Sequence, residues 1–305
     1  MNIFLILYFT GSKIAIKYEK KVAEMEIKKI LIPIGGSAYS KNALQYAILF
    51  AKKFEAELLG IYVKDIRLFK GPQFSSVADL FISEPYFEID RDNIEASLNG
   101  RGAKIKDYFT SICKNDGIKC SFQIQKGLVS DVIIDIAKEV DLVVMGKKGE
   151  HANLLKRHLG STCTRVIHNI NRPLVIVDYA PLQEIRKVLL CYAGGYFAQK
   201  ALDLTQYFIA KTGFGLSVLT IATKQTIAIA VQKEAKKYFI SKNTKANYLL
   251  TVGDVEKEIM KIAKTEDIDM LITGASMHKS YEDFLSLCLA NRILYDSNIP
   301  ILFVR

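Results

Sequence analysis

The sequence predicts an α/β protein made of two tandem Rossmann-like domains, each a five-stranded parallel sheet with helices on both faces. Three observations favour this fold: an internal repeat, continuous apolar runs that alternate with amphipathic stretches, and a length of 305 residues, which suits two domains. Hydrophobic residues make up 50% of the chain and charged residues 24%, a balance that excludes disordered and low-complexity classes. Apolar strands that alternate with helices indicate a parallel sheet covered on both faces.

The internal repeat is visible in three blocks that occur twice in the same order. The block that starts at Lys28, KKILIPIGGSAYSKNALQYAILFAKKFEAELLGIYV, aligns without gaps with RKVLLCYAGGYFAQKALDLTQYFIAKTGFGLSVLTIA, which starts at Arg186. DLVVMG (Asp141–Gly146) then matches DMLITG, and NRPLVIV (Asn171–Val177) matches NIPILFV. The predicted domains are therefore 26–178 and 185–305, preceded by an N-terminal extension, 1–25, that is either a hairpin or a tail.

Each element of the first repeat has its own sequence signal. Ile30–Ile34 is an apolar run closed by Gly35-Gly36, and Ser37 or Ser40 can cap the helix that follows. The remaining elements are predicted from apolar runs and helical periodicity: strand Leu58–Val63, helix Ile94–Lys114, strand Cys120–Gln125, helix Val132–Val140, strand Leu142–Met145, helix Gly160–Asn169 and strand Leu174–Val177.

The first repeat also carries an insertion, mostly Lys64–Asn93, that the second repeat lacks. It contains several aromatic residues and follows the carboxyl end of a strand. Such a connection is either a lid over a ligand crevice or a patch that covers the sheet or a partner.

Charge, cysteine usage and hydropathy restrict the location and the partners. The net charge of +10 favours anionic partners, but it is spread along the chain, so we expect no nucleic-acid binding. The five cysteines form no Cys-x-x-Cys pair and the four histidines no paired-ligand motif, which predicts reduced thiols, no metal site and a cytoplasmic protein. The apolar run Ile3–Phe9 is too short for a membrane span and lacks the flanks of a signal peptide.

A glycine-rich segment near the end of the first repeat is the candidate ligand-binding motif of the sequence. Met145-Gly146-Lys147-Lys148-Gly149 is followed, after ten residues, by Gly160-Ser161-Thr162 at the start of a helix. Glycines permit close backbone approach, a helix N-terminus offers free N–H groups, and Lys147 and Lys148 add positive charge. The segment predicts a phosphate cradle. The alternative is that these glycines are only turn and capping residues.

These motifs resemble the universal stress protein family. The family pattern is Gly, two residues, Gly, nine residues, Gly, then Ser or Thr. The opening block 28–51 and the closing block 171–177 are also similar to the family. The resemblance implies the fold stated above and dimerisation through the last strand, which tandem members often form within one chain. Many members bind ATP and others do not.

The resemblance implies an adenine nucleotide site in the first repeat, with ATP as its ligand and Mg²⁺ accompanying it. Four residues at the ends of the first two strands would lie against the adenosine: Pro33, Ile34, Gly35 and Val63. Seven residues would flank or hold the ribose and the phosphates: Met145, Gly146, Lys148, Gly149, Gly160, Ser161 and Thr162. The resemblance points to no catalytic residue and at most to weak ATP hydrolysis.

Departures from the family pattern divide the two repeats. In the first repeat, Gly35 stands where the family usually has Asp, and the phosphate loop is one residue longer. In the second repeat, Met277 replaces the second glycine and Leu287-Cys288 replace Gly-Ser. We therefore expect nucleotide in the first repeat alone, with the second as a pseudo-dimer partner, and an unidentified regulatory protein or a second chain as further partners. The alternative is a nucleotide-free interaction protein of the same fold.

Overall fold

The structure is a computed structural model that describes residues 26–69, 91–149, 159–182, 184–274 and 293–304. The predictions for the extension 1–25 and for most of the insertion lie outside the described residues. So do the second-repeat residues Met277, Leu287 and Cys288.

Within the part of the chain that the structure describes, each repeat contributes five strands to the fold. Those of the first repeat are β1 (Lys29–Pro33), β2 (Glu57–Asp65), β3 (Cys120–Gly127), β4 (Leu142–Gly146) and β5 (Leu174–Val177). Those of the second repeat are β6 (Lys187–Cys191), β7 (Gly215–Ala222), β8 (Asn247–Val252), β9 (Met270–Gly274) and β10 (Ile301–Val304). The helices are α1 (Ala38–Phe54), α2 (Arg91–Asn115), α3 (Val129–Ala137), α4 (Ser161–Asn169), α5 (Tyr196–Thr212), α6 (Gln225–Ser241) and α7 (Val255–Thr265), and a short 3₁₀ helix covers Ile66–Phe69.

The strands form one ten-stranded sheet in the order β3-β2-β1-β4-β5-β10-β9-β6-β7-β8. Strands within each repeat pair in parallel, which confirms the predicted fold class. At the centre β5 and β10 run antiparallel, with Ile176 opposite Ile301 and Val175 opposite Leu302. The expected pairing of the two terminal strands is confirmed, and it removes the free edge that each strand would otherwise expose.

The core lies in two apolar layers, one on each face of the sheet, and both layers contain residues of both repeats. On one face α1 packs against α5 through aromatic rings. The ring centroids of Phe50 and Phe208 lie 5.6 Å apart, and those of Phe54 and Phe208 lie 4.8 Å apart. Because these rings are buried between the repeats, the two units share one continuous core instead of meeting at a polar surface.

Matching aspartates join the first and fourth strands of each repeat in the same way. Asp141 Oδ2 accepts hydrogen bonds from the backbone N–H groups of Lys28 and Lys29, each 2.9 Å long. Asp269 Oδ2 accepts from the N–H groups of Arg186 and Lys187, each 2.8 Å long. The aspartate that opens DLVVMG and DMLITG is therefore a structural residue in both repeats.

Two local predictions are refined by the structure. Ser37 is the N-cap of α1, and its hydroxyl accepts from the N–H of Ser40 at 3.2 Å. The predicted helix Val132–Val140 is wrong at both ends, since α3 begins at Val129 directly after the longer β3. It ends at Ala137 because the next three N–H groups bond three residues back, which tightens the chain into a turn.

Within the described ranges, no helix combines the length and the apolar character that crossing a membrane requires.

Candidate functional site

A cavity of about 670 Å³ opens at the carboxyl ends of β1, β2 and β4. This edge is where parallel α/β sheets bind their ligands, and the volume suits a small molecule. The cavity brings together every site residue expected from the sequence: Pro33, Ile34, Gly35, Val63, Met145, Gly146, Lys148, Gly149, Gly160, Ser161 and Thr162. The residues are therefore close in space, whatever they bind.

One end of the cavity is formed by two backbone turns and the start of α4. Gly160 is the N-cap of α4 in extended conformation, and its N–H donates to the carbonyl of Lys147 at 3.3 Å. The Ser37 hydroxyl donates to the carbonyl of Lys148 at 3.5 Å. The first N–H groups of a helix have no acceptor within the helix, so this end presents backbone donors to the cavity.

The two glycines of this end that line the cavity beside α4 have different surroundings. A Cβ on Gly160 would lie 3.3 Å from the Cα of Lys148, whereas a Cβ on Gly149 would meet nothing within 4 Å. A side chain at position 160 would therefore crowd the space between Lys148 and the N-terminus of α4, which the glycine leaves open. Gly149 leaves space beside it.

Gly146 has a packing role that the sequence did not reveal. A Cβ there would lie 2.7 Å from the Cβ of Tyr39 and 2.9 Å from its carbonyl oxygen. The end of β4 therefore needs a glycine to pass the first turn of α1, with or without a bound phosphate.

The two loop lysines have opposite positions. Lys148 lines the cavity, but the side chain of Lys147 is only 6% exposed and lies away from it. Its Nζ is 3.0 Å from Asp178 Oδ2 and donates to the carbonyls of Tyr295 at 3.0 Å and Ser297 at 3.3 Å. The prediction that both lysines add positive charge to the phosphate loop is wrong for Lys147, because a buried carboxylate neutralises its ammonium.

The opposite end of the cavity is bordered by charged residues on β2, the 3₁₀ helix and α2. The guanidinium of Arg101 donates to the carbonyl of Gly35, the position where the family usually has Asp. Asp65 pairs with Arg67, whose Nη2 lies 2.5 Å from Asp65 Oδ2. Burial alone would raise the pKa of the Asp65 carboxyl, but the side-chain and backbone hydrogen bonds of Arg67 hold this pKa below its ordinary value.

The wall between the two ends is largely apolar. It contains Ile61, Leu98, Ile133 and Leu159, together with the buried thiol of Cys163. Burial raises the pKa of the Cys163 thiol to about 12, although the charge of Lys147 acts in the opposite direction. The thiol therefore stays protonated at neutral pH, and this wall suits an uncharged, apolar part of a ligand.

The chemistry of the lining bears on metal binding. Among residues 26–69, 91–149, 159–182, 184–274 and 293–304, no group of three or more His, Cys, Asp and Glu side chains could hold a metal ion. Asp65 is the carboxylate on the described lining, and Arg67 already binds it. The acidic, histidine and cysteine side chains of the described residues therefore do not form a Mg²⁺ site in this cavity. A Mg²⁺ ion in this cavity would depend on phosphate oxygens and water as ligands.

Sequence reasoning missed the rest of the cavity lining, most of which comes from β2, the 3₁₀ helix, α2 and α3, elements that carry no motif. These additional lining residues are Ser37, Ser40, Ile61, Tyr62, Asp65, Arg67, Leu68, Leu98, Arg101, Val129, Ile133, Leu159 and Cys163. A signal existed for Arg101, because Leu98, Gly102 and Ile105 form the buried face of α2 and place Arg101 at its border. The sequence does not reveal which end of the sheet that border meets.

The fold and the cavity together define a tandem α/β protein with a crevice in its first repeat whose volume suits a small molecule. A family model described as "Universal stress protein family" matches residues 26–178 and 184–305, and the chain therefore belongs to this family.

Two curated proteins and one solved structure agree with this assignment. Universal stress protein Slr1230 of Synechocystis is 28% identical over 291 residues, which cover 92% of this chain and 100% of that protein. Universal stress protein MJ0531 of Methanocaldococcus jannaschii is 34% identical over 152 residues, 49% of this chain and 81% of that protein. A crystal structure of a universal stress protein from Archaeoglobus fulgidus aligns with a TM-score of 0.71 at 17% identity. The alignment covers 92% of this chain and 97% of that one, and supports the fold alone.

Proposed function

We propose that the first repeat binds an adenine nucleotide, with ATP as the expected ligand, and that the chain is a cytoplasmic regulatory module of its family. The observation that carries this proposal is the convergence of backbone donors, Lys148 and an apolar wall in one cavity. The second repeat acts as a degenerate pseudo-dimer partner and binds no nucleotide.

The phosphates would occupy the end beside α4. A helix N-terminus carries partial positive charge and unpaired N–H groups, both of which favour phosphate oxygens. Lys148 and the hydroxyls of Ser161 and Thr162 line the same end of the cavity. Since Lys147 is paired with Asp178, Lys148 is the lysine of the described loop residues 146–149 that lines the cavity, and backbone N–H groups add further donors.

The adenosine would lie against the apolar wall, beside the carboxyl ends of β1 and β2. Arg101 hydrogen-bonds Gly35 at the position where the family usually has Asp, so this end offers a cation in place of a carboxylate. Mg²⁺ would enter with ATP, held by its phosphates. The proposal assigns no catalytic step to the chain.

Calorimetric titration of the full chain with ATP tests the proposal. We expect one ATP per chain, because the phosphate motif is complete in the first repeat alone. Gly160→Val should weaken ATP binding at least about tenfold, or ~1.4 kcal/mol, by placing a branched side chain against Lys148 at the mouth of the helix. The matched control is Gly100→Val, at an exposed helical position where a Cβ meets nothing within 4 Å.

Two results would contradict the proposal. Binding of two ATP molecules per chain would refute the restriction to the first repeat. A folded Gly160→Val protein that binds ATP as tightly as the parent would refute the phosphate cradle.

The alternative is a nucleotide-free interaction protein, in which the pairing of the repeats is the activity. The specific observation that favours it is Arg101, whose guanidinium crosses to Gly35 over the end of β1. Absence of ATP binding to the wild-type chain would make this alternative the better account.

A further inference from the structure

Lys147 connects the phosphate loop of the first repeat to the second repeat. Its backbone belongs to the loop: its N–H donates to the carbonyl of Val177 at 2.8 Å, and its carbonyl accepts from Gly160, the N-cap of α4. Its side chain reaches the carbonyls of Tyr295 and Ser297, which precede β10 in the second repeat. One residue therefore fixes the geometry of the loop and contacts the neighbouring repeat.

The ammonium group is buried and has three acceptors, one for each of its N–H groups. The side chains of Lys147 and Asp178 are 6% and 8% exposed, and their charges lie 3.0 Å apart. Asp178 is itself fixed, since its Oδ1 accepts from the N–H of Tyr179 at 2.6 Å and its carbonyl accepts from the amide of Asn42 at 2.6 Å. A buried ion pair of this kind requires good geometry to offset the loss of hydration, so small displacements of either repeat are unfavourable.

The segment of the second repeat that Lys147 contacts is held in place by its own hydrogen bonds and by packing. Ser297 is 2% exposed, and its N–H donates to the carbonyl of Ile293 at 2.9 Å. Its hydroxyl donates to the carbonyl of Ile299 at 3.1 Å, and Ile293 and Leu294 are buried in the core. The acceptors of Lys147 therefore belong to a packed segment and cannot follow the lysine freely.

The matching positions of the second repeat hold residues that cannot form the same ion pair. Gly146 matches Gly274 in the repeat, so Ala275 stands at the position of Lys147. Val177 matches Val304, so Arg305 stands at the position of Asp178. The sequence of the second repeat lacks both the ammonium and the carboxylate, and the ion pair is therefore not a general requirement of the fold.

We propose that the second repeat completes the phosphate site of the first by holding Lys147, which acts as a positioning residue for the loop Gly146–Gly149. This inference rests on the proposed function. It assigns the second repeat a structural role in the phosphate site of the first repeat, a role that does not depend on a nucleotide motif in the second. By linkage, ATP in the first repeat should in turn tighten the segment 293–300.

The test compares full-length variants by ATP calorimetry, thermal unfolding and hydrogen exchange of residues 293–300 with and without ATP. Lys147→Met leaves Asp178 as an unpaired buried charge, and the double variant Lys147→Met with Asp178→Asn removes that charge as well. Lys138→Met, an exposed lysine paired with an exposed Asp135, is the control.

We expect Lys147→Met to lower the unfolding temperature and to weaken ATP binding at least about fivefold, within the usual range of coupling between sites. The double variant should regain much of the unfolding temperature but not the ATP affinity. In the wild type and in the control, ATP should slow exchange in 293–300, and this effect should be absent from both Lys147 variants.

Each other outcome overturns a definite claim. If ATP affinity returns with stability in the double variant, or if ATP leaves 293–300 unchanged in the wild type, Lys147 is a purely structural residue and the coupling is refuted. If Lys147→Met does not fold, the double variant decides alone. If the wild type does not bind ATP, the proposed function is refuted and the coupling with it.

Discussion

The two repeats keep the same framework residues but differ in the residues around the phosphate loop. Asp141 and Asp269 tie equivalent strands with equivalent hydrogen bonds. Gly146 and Gly274 each pass close to the first turn of the first helix of their own repeat, since a Cβ on Gly146 would lie 2.9 Å from the carbonyl oxygen of Tyr39 and one on Gly274 would lie 2.6 Å from that of Phe197. Residues present in both repeats therefore have structural explanations. Gly160 differs from these residues, because Leu287 stands at its position in the second repeat. A glycine at this position is therefore not required by the fold.

The interface between the repeats also contains both contacts that the two repeats share and a contact made by the first repeat alone. Phe50 and Phe208 occupy equivalent positions and contact each other, as expected where two copies meet around a local two-fold axis. Lys147 breaks this symmetry, because it reaches from the first repeat to the second without a reciprocal contact. A tandem chain can acquire such a one-sided contact, whereas a symmetric homodimer has each contact twice.

The largest expected effect tests the packing role of the shared glycines. Gly146→Ala and Gly274→Ala should each destabilise the protein by about 3 kcal/mol, since each Cβ would lie under 3 Å from a backbone atom of the adjacent helix. Gly149→Ala, where a Cβ meets nothing within 4 Å, is the control and should change stability little. Urea unfolding of the three variants measures the difference. A Gly274→Ala protein as stable as the parent would show that Gly274 is not a packing residue.

Removal of either shared aspartate is expected to lower the free energy of unfolding by less than the glycine substitutions do, and by the same amount in the two repeats. Asp141→Ala and Asp269→Ala each remove a carboxylate that accepts two backbone hydrogen bonds, which should cost about 2 kcal/mol in unfolding free energy. The control is Asp135→Ala, whose ion pair with Lys138 is exposed and should contribute almost nothing. A large difference between the two aspartate variants would contradict the structural equivalence of the repeats.

These particular residues show what the sequence predicts well and what it does not. The repeat and its apolar runs predict two parallel sheets covered on both faces, and the two matched terminal strands predict the pairing of β5 with β10. The motif predicts which backbone turns meet at the cavity. The opposite directions of Lys147 and Lys148 were not predictable, because adjacent residues in a loop have no periodicity. The role of Arg101 depends on the position of α2, which the sequence does not fix.

Within the first repeat alone, Ser161→Ala should weaken ATP binding by about 1–2 kcal/mol, the loss of one hydrogen bond to a charged acceptor. Its place in the second repeat is taken by Cys288, so this hydroxyl belongs to the first repeat only. Calorimetry of the full chain measures the effect, and Ser111→Ala on the exposed side of α2 is the control. Unchanged affinity in the variant would indicate that the backbone N–H groups alone hold the phosphate.

The smallest expected effect concerns Cys163, a probe that reports on the first repeat because Ala290 stands at the matching position of the second. Burial raises the pKa of its thiol to about 12, so at pH 8 only about one molecule in 10⁴ carries the reactive thiolate. We expect a disulfide reagent at pH 8 to leave Cys163 unlabelled in the folded protein, while the half-buried Cys120 reacts. The sign of the pH effect follows from the raised pKa: folding favours the protonated thiol, so its stabilising contribution is complete below the ordinary pKa of a cysteine and is lost as the pH rises towards 12.

Mass spectrometry of labelled peptides measures the reaction, and guanidinium-unfolded protein, with all five cysteines reactive, is the control. Rapid labelling of Cys163 in the folded chain would mean that the first turn of α4 opens to solvent, and the cavity would then lack the rigid helix N-terminus on which the phosphate site depends.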